Sequence, residues 1–192
     1  MRCRGSGPSS GAERGGFLKE ARPTSGRVLS ALFNILGSME GLSFLDLFAG
    51  TGRVGLEALN RGAEAVVWVE SVRSRAQAIE RAVARAPSGE TAVLGLEIRR
   101  AVAWLRKRER TFDIIFADPP YHEGWGEALL GLRGLSALLA PEGILVVEHS
   151  VREPLAIPSE WCLDTGRDYG ETRLTFLGSA KKGRTTSSVK EE

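Results

Sequence analysis

The sequence predicts an α/β protein whose mostly parallel, seven-stranded sheet finishes in a C-terminal antiparallel hairpin. Three observations predict it. Short β-rich runs alternate with longer stretches of helical character, the pattern of strands joined by crossover helices. The first five of these runs are almost continuously apolar, as strands covered on both faces are. The last two flank Gly170 with no helix between them, which requires a hairpin at the sheet edge.

Taken in order, "RVLSALFNIL" (27–36) places Leu29, Leu32, Phe33 and Leu36 at helical spacing and leads in as a helix. "SFLDLF" (43–48) is the first strand and is followed by a helix over 54–61. "AVVWVE" (65–70) precedes a helix over 72–85, and "TAVLGLE" (91–97) precedes one over 99–108. "FDIIFA" (112–117) is the fourth strand, a helix is expected over 126–139, and "GILVVEH" (143–149) is the fifth strand. "EWCLDTGRDYGETRLTFL" supplies the closing pair, giving a Rossmann-like sheet with a hairpin finish. Residues 1–18 and 178–192 are rich in Gly, Ser and basic residues with almost nothing to bury, so a disordered arm and a disordered tail are expected around one domain spanning 19–177.

At 192 residues and 42% hydrophobic content, the chain can bury the core of one ordinary domain. Its apolar runs are far shorter than the roughly 20 residues a membrane-spanning helix needs, and no apolar signal core opens the chain, so a cytoplasmic location without membrane contact is expected. Cys3 and Cys162 share no metal-type spacing and form no disulfide framework. A net charge of +2 does not mark a nucleic-acid-binding protein by itself, so any such surface has to be a patch. Arginine outnumbers lysine 21 to 5, which suits phosphate and base-edge recognition but follows equally from a coding bias toward Arg, Ala and Gly. The cluster Arg99, Arg100, Arg106, Lys107, Arg108 and Arg110 reads as a solvated helix face.

Ligands of open parallel sheets bind beyond the carboxyl ends of the strands, so the residues there are read together. Strand one runs into "DLFAGTGRVG", a Gly-rich turn in which Phe48, Ala49, Gly50, Thr51 and Gly52 bring backbone N–H groups close to a ligand, with Asp46 in front. Strand two ends in Glu70 and Ser71, where a carboxylate can accept both hydroxyls of a ribose. Strand four ends in Asp118, Pro119, Pro120 and Tyr121. The prolines remove two donors and fix φ, leaving a rigid, acceptor-rich edge suited to a substrate that carries N–H donors. Together these ends describe a nucleoside cofactor beside a planar second substrate.

Gly50, Gly52 and Gly55 also spell G-x-G-x-x-G, which fits NAD as easily as S-adenosylmethionine. Asp46 would repel a pyrophosphate but could hold the cationic end of a methionine moiety, and the Pro-Pro edge has no part in hydride transfer. Taken singly, Asp46 reads equally as a helix-capping acid, Glu70 as a strand-end acid and Tyr121 as a turn aromatic; their joint placement favours the functional reading. His122 reads as a loop residue and His149 as structural, and no metal site is expected.

The succession "RPTSGRVLSALFNIL", "FLDLFAGTGRVGLEALNRGA", "VVWVE", "FDIIFADPPY" and "GRDYGETRLTF", from about Arg22 to Leu177, resembles the RsmD-type bacterial 16S ribosomal RNA guanine-N2 methyltransferases. The resemblance implies the S-adenosylmethionine-dependent methyltransferase fold, S-adenosylmethionine as cofactor, and 16S rRNA or a small-subunit assembly particle as partner of a monomeric enzyme. It also implies substrate contacts at Arg22, Thr24, Asn34, Tyr121 and Tyr169, the last shaping the hairpin near the substrate mouth with Gly170. Family members usually open with a basic β-hairpin, of which residues 1–20 give no clear sign. They usually carry an Asp after strand three near the adenine; here Arg99 and Arg100 fall at that point, with Glu97 as the substitute if the register differs.

Overall fold

The computed structural model describes residues 25–85, 89–120 and 125–180. The proposed arm over 1–18, Arg22, Thr24, Tyr121, His122 and most of the proposed tail lie outside these residues. A seven-stranded sheet comprises β1 (Ser43–Asp46), β2 (Ala65–Val69), β3 (Glu90–Leu94), β4 (Phe112–Ala117), β5 (Leu139–Ser150), β6 (Trp161–Tyr169) and β7 (Thr172–Ser179). The spatial order is β3-β2-β1-β4-β5-β7-β6, parallel from β3 to β5 and antiparallel from β5 onward. None of the helices among the described residues is long and apolar enough to cross a membrane.

Alternate side chains of each central strand feed opposite layers. Phe44, Val66, Trp68, Ile114 and Phe116 face α1 (Gly26–Leu36), α2 (Arg53–Asn60) and α3 (Arg73–Val83). Leu45, Val67, Val69, Ile115 and Val147 face α4 (Ile98–Lys107) and the short α5 (Trp125–Leu130). This period of two across strands buried on both faces is why the runs read as almost uninterruptedly apolar. The helix α1 starts cleanly because the Ser25 hydroxyl accepts from Val28 N, and it stops at Gly37, whose φ of 77° continues no helix.

Several expected boundaries shift. The helix expected over 126–139 is only α5 followed by a 3-10 turn over Ser136–Leu138, because Gly131 and the left-handed Gly134 (φ 92°) interrupt it. The strand β5 then begins at Leu139, four residues early, through an irregularity that sets Leu139 against Phe112 and Ile144 against Ile114. The extra residues include Pro141, which has no N–H for a regular ladder. The strand β3 stops at Leu94, since Leu96 N turns back onto the Leu94 carbonyl (2.8 Å) and frees Glu97 to cap α4. The last strand β7 extends to Ser179, past the Leu177 end of its apolar run: Gly178 pairs with Cys162 and Ser179 with Trp161.

Helix α2 approaches the sheet closely at Gly55. A Cβ built there would lie 2.2 Å from Nε1 of Trp68, a fully buried indole that donates to the Gly52 carbonyl (3.1 Å) and so has no freedom to swing aside. Gly55→Ala is therefore expected to cost about 1–3 kcal/mol through overpacking. Urea denaturation should register this as a lower midpoint at unchanged m-value, and an unshifted midpoint would show that α2 is not seated on the Trp68 ring.

Candidate functional site

The helices α2 and α4 leave the sheet on opposite faces, and between them, beyond the carboxyl ends of β1 to β4, lies a cavity of about 260 Å³. This is the switch point between β1 and β4, where the direction of chain progression reverses. Leu47, Phe48 and Gly50 line the cavity from β1, Val69, Glu70 and Ser71 from β2, Leu96, Glu97 and Ile98 from the β3–α4 turn, and Asp118 and Pro120 from β4. Arg75 and Trp125 complete it, Trp125 meeting Phe48 edge-on at 5.5 Å between ring centroids.

The glycine loop is held by backbone and side-chain bonds that sequence spacing makes possible. Leu47 N donates to Phe116 O (2.9 Å) and Ala49 N to Val69 O (3.0 Å), so the chain leaving β1 hands its pairing from β4 to β2. Gly50 and Gly52 then take left-handed φ of 53° and 77°. Glu70 is 6% exposed and both its oxygens are engaged: one accepts from Gly50 N (2.9 Å), the other from Val72 N (2.7 Å). A carboxylate oxygen accepts two hydrogen bonds, so each of these retains a lone pair for a ligand.

Asp46 is 1% exposed and accepts from Gly55 N (3.2 Å) in the first turn of α2. Burial pushes its carboxyl up to about 7; the Gly55 N–H opposes the shift, and the charges of Asp118 and Glu70 add to it. The cavity is therefore an acidic site: Glu70, Glu97 and Asp118 line it, Asp46 stands behind it, and Arg75 is the one cation in the lining among the described residues. Such a site favours a ligand carrying positive charge and disfavours a pyrophosphate.

Of the residues read from sequence, Phe48, Gly50, Glu70, Ser71, Asp118 and Pro120 are brought together. Pro119 is buried beside them. Asp46 lies outside the cavity lining, with one carboxylate oxygen accepting from Gly55 N in α2. Ala49, Thr51 and Gly52 belong to the loop but not to the cavity lining, with Gly52 packed so closely that a Cβ would sit 2.8 Å from Ile79. Asn34 is exposed near the end of α1 and is not brought to the cavity. Tyr169 lies at the hairpin tip on the carboxyl edge, packed against the layer of α1 and α2 and outside the lining.

Several lining residues escaped the sequence reading or were only half-read, among them Trp125, Arg75, Glu97 and Ile98. Trp125 and Arg75 reach the cavity by tertiary packing and have no local signal. Glu97 had one: an acid immediately before an amphipathic run is a helix cap, and its carboxylate accepts from Arg99 N (3.0 Å). The position after β3 is thus filled by Glu97, while Arg99 and Arg100 point to solvent. Ile98 adjoins it at the start of α4. His149 is neutral and structural as expected: burial lowers its pKa, Nδ1–H donates to the Ser150 and Glu153 carbonyls (3.0 Å each), and Nε2 accepts from the Thr175 hydroxyl (2.8 Å).

Comparison with known proteins agrees with this geometry. The family model described as conserved hypothetical protein 95 matches residues 16–178. YlbH of Bacillus subtilis is 36% identical over 153 residues, covering 73% of this chain and 80% of that protein. Ribosomal RNA small subunit methyltransferase D of Escherichia coli is 32% identical over 164 residues, covering 84% of this chain and 81% of that protein. A solved structure from Thermus thermophilus superimposes with a TM-score of 0.68 at 30% identity, covering 83% of this chain and 90% of that one.

The buried Asp46 makes stability depend on pH in a defined direction. With an ordinary value of 3.8 and a folded value of about 7, the native state keeps a proton that the unfolded chain has released, so stability falls as pH rises between these values and levels off above them. Asp46→Asn, which cannot ionise, should flatten that slope, gaining up to about 4 kcal/mol relative to wild type across the window. Urea unfolding from pH 4 to pH 8 measures this, and parallel pH profiles for the two proteins would refute it.

Proposed function

The chain belongs to the RsmD-type family, matched by the model described as conserved hypothetical protein 95, and from that premise we propose that it methylates the exocyclic N2 amine of a guanine in small-subunit (16S) ribosomal RNA, with S-adenosylmethionine as cofactor. The observation that carries the reading is the acidic, glycine-looped cavity opening directly onto the Asp118–Pro120 edge. The naming of the Escherichia coli relative as a small-subunit rRNA methyltransferase supports the substrate class.

The residues present fit the cofactor by their chemistry. It is a nucleoside with a cationic tail, and Glu70 offers carboxylate lone pairs for a ribose diol while Glu70 and Asp118 supply a negative field for the charge. Leu96 and Ile98 provide apolar walls for a purine, and Glu97 stands beside them as an acceptor for an amino group. When bound, the cofactor supplies an electrophilic methyl group on a sulfonium.

The chain's own part is to orient the amine. A guanine N2 lone pair is delocalised into the ring and is a weak nucleophile. Asp118, with the carbonyl of Pro119, accepts its two N–H bonds, which favours a more tetrahedral nitrogen with the lone pair directed at the methyl group. Pro119 and Pro120 hold this edge rigid, so little reorganisation accompanies reaction. The surplus proton leaves after the N–C bond forms, with Asp118 as its first acceptor, because the nitrogen is acidic only once alkylated. In this reading Asp46 acts through the loop, and Tyr121 supplies a stacking face for the base.

The decisive experiment is transfer of labelled methyl from S-adenosylmethionine to unmethylated small-subunit particles and to naked 16S rRNA, followed by nucleoside analysis. N2-methylguanosine is the expected product; N6-methyladenosine or N4-methylcytidine would reassign the acceptor, and no transfer to either substrate would overturn the reading. Asp118→Ala should leave cofactor affinity within about threefold while lowering the rate at least about 100-fold. Single-turnover kinetics beside a binding titration separates the two effects, and an unimpaired rate would remove Asp118 from the mechanism.

A further inference from the structure

The outer face of α4 carries a feature that the cavity does not use. Arg99, Arg100, Arg106, Lys107 and Arg108 are all exposed, and among the described residues none of them has a carboxylate within ion-pair distance. Arg110, just beyond, differs in being paired with Glu90 (3.0 Å). In the middle of this face stands Trp104, 37% exposed, with the Arg108 guanidinium 3.6 Å above its ring centroid and Arg108 Nη1 donating to the Trp104 carbonyl (3.5 Å).

A solvated face needs neither of these. The ten residues Arg99–Arg108 hold five cations and no acid, so the charge exposed on this face is of one sign. An exposed indole loses solvation benefit unless something covers it. Both features suit a strand of phosphates and bases: Arg and Lys neutralise phosphate, and a flat aromatic with a guanidinium beside it is a stacking platform for an unpaired base. The apolar side of the same helix, Ile98, Ala101, Val102 and Leu105, is buried against the sheet, so the orientation of the basic side is fixed.

The helix also starts at the site. Glu97 and Ile98 line the cavity, Arg99 and Arg100 follow in the first turn, and Trp104, Lys107 and Arg108 come one to two turns later, about 12 Å along the axis at the usual helical rise. We propose that the exposed face of α4 is a binding track for single-stranded RNA flanking the target base, with Trp104 as the stacking platform. The identity of the ligand as RNA rests on the methylation reading above; the track is a separate surface from the cavity and is tested separately.

Full-length protein is titrated with poly(U) and with unmodified 16S rRNA in the absence of cofactor, at several salt concentrations. Arg100→Glu with Lys107→Glu should weaken binding of both at least about tenfold and lower the slope of log affinity against log salt by about 1.4, two phosphate contacts at the single-strand value. Trp104→Ala should weaken poly(U) binding about tenfold, and Trp104→Phe should remove most of the tryptophan quenching that accompanies binding. The matched pair Arg81→Glu with Arg85→Glu, exposed in the last turn of α3 and just beyond it, should change neither. Unaltered urea midpoints and cofactor affinity establish that the α4 variants remain folded.

Wild-type RNA affinity in the α4 variants overturns the track, as does equal weakening by the α3 pair, which would reduce the effect to net charge. Binding of duplex RNA with no loss on Trp104→Ala overturns the stacking role. Because these titrations contain no cofactor, a failure of methyl transfer leaves their outcome intact, and the two proposals fail independently.

Discussion

One carboxylate fixes the geometry on which the site depends. Glu70, at the end of β2, joins the loop that leaves β1 to the turn that enters α3 by accepting from Gly50 N and Val72 N. Two further contacts from neighbouring strands hold the same loop, Asp46 on Gly55 N and the Trp68 indole on the Gly52 carbonyl. A loop with two left-handed glycines would otherwise be among the most mobile parts of the chain. Here it is pinned at three points by side chains from two parallel strands, whose register brings Asp46 level with Trp68. The pinning also brings like charges together. Asp118 and Glu70 add to the cost of ionising Asp46, and a cationic ligand would relieve that cost.

The cavity itself follows from topology. The β1–α2–β2 crossover lies on one face and the β3–α4–β4 crossover on the other, so a gap opens over the boundary between β1 and β4 whatever side chains occupy it. Sequence then decides what the gap accepts. Phe48, Trp125, Leu96 and Ile98 give it apolar walls, and its polar groups are almost all acceptors of hydrogen bonds. Binding and amine orientation share this acceptor-rich character, which is why one acidic cavity can serve a cationic nucleoside and an amine-bearing base together.

Features encoded within a few residues were legible in the sequence, and features made by packing were not. The strands β1, β2 and β4 could be read because burial on both faces leaves an apolar run that no helix of that length imitates. The Gly50–Gly52 turn, Glu70 and the Asp118–Pro120 edge were legible because each is a strand-end signature in a fixed order. Asp46 was legible only as an alternative: an acid before a glycine turn can face either the ligand or the helix that follows, and only the fold shows that one of its oxygens accepts from Gly55 N. The boundary after β3 was overrun because the apolar Leu94 and Leu96 continue the strand pattern through a turn, hiding Glu97 as the cap. Trp125 could not be found at all, since its contact with Phe48 joins residues about half a domain apart in sequence.

The hairpin has a consequence for how the chain is made. In the finished sheet β7 lies between β5 and β6, yet it is synthesised after both. As the nascent chain emerges, β6 therefore appears with no neighbour to pair with, exposing both its edges until β7 arrives to fill the slot. The glycine loop and the acidic cavity are assembled from earlier segments and do not wait for it. Synthesis thus has a vulnerable interval, short in chain length and late in time, in which a nearly formed enzyme carries an open strand.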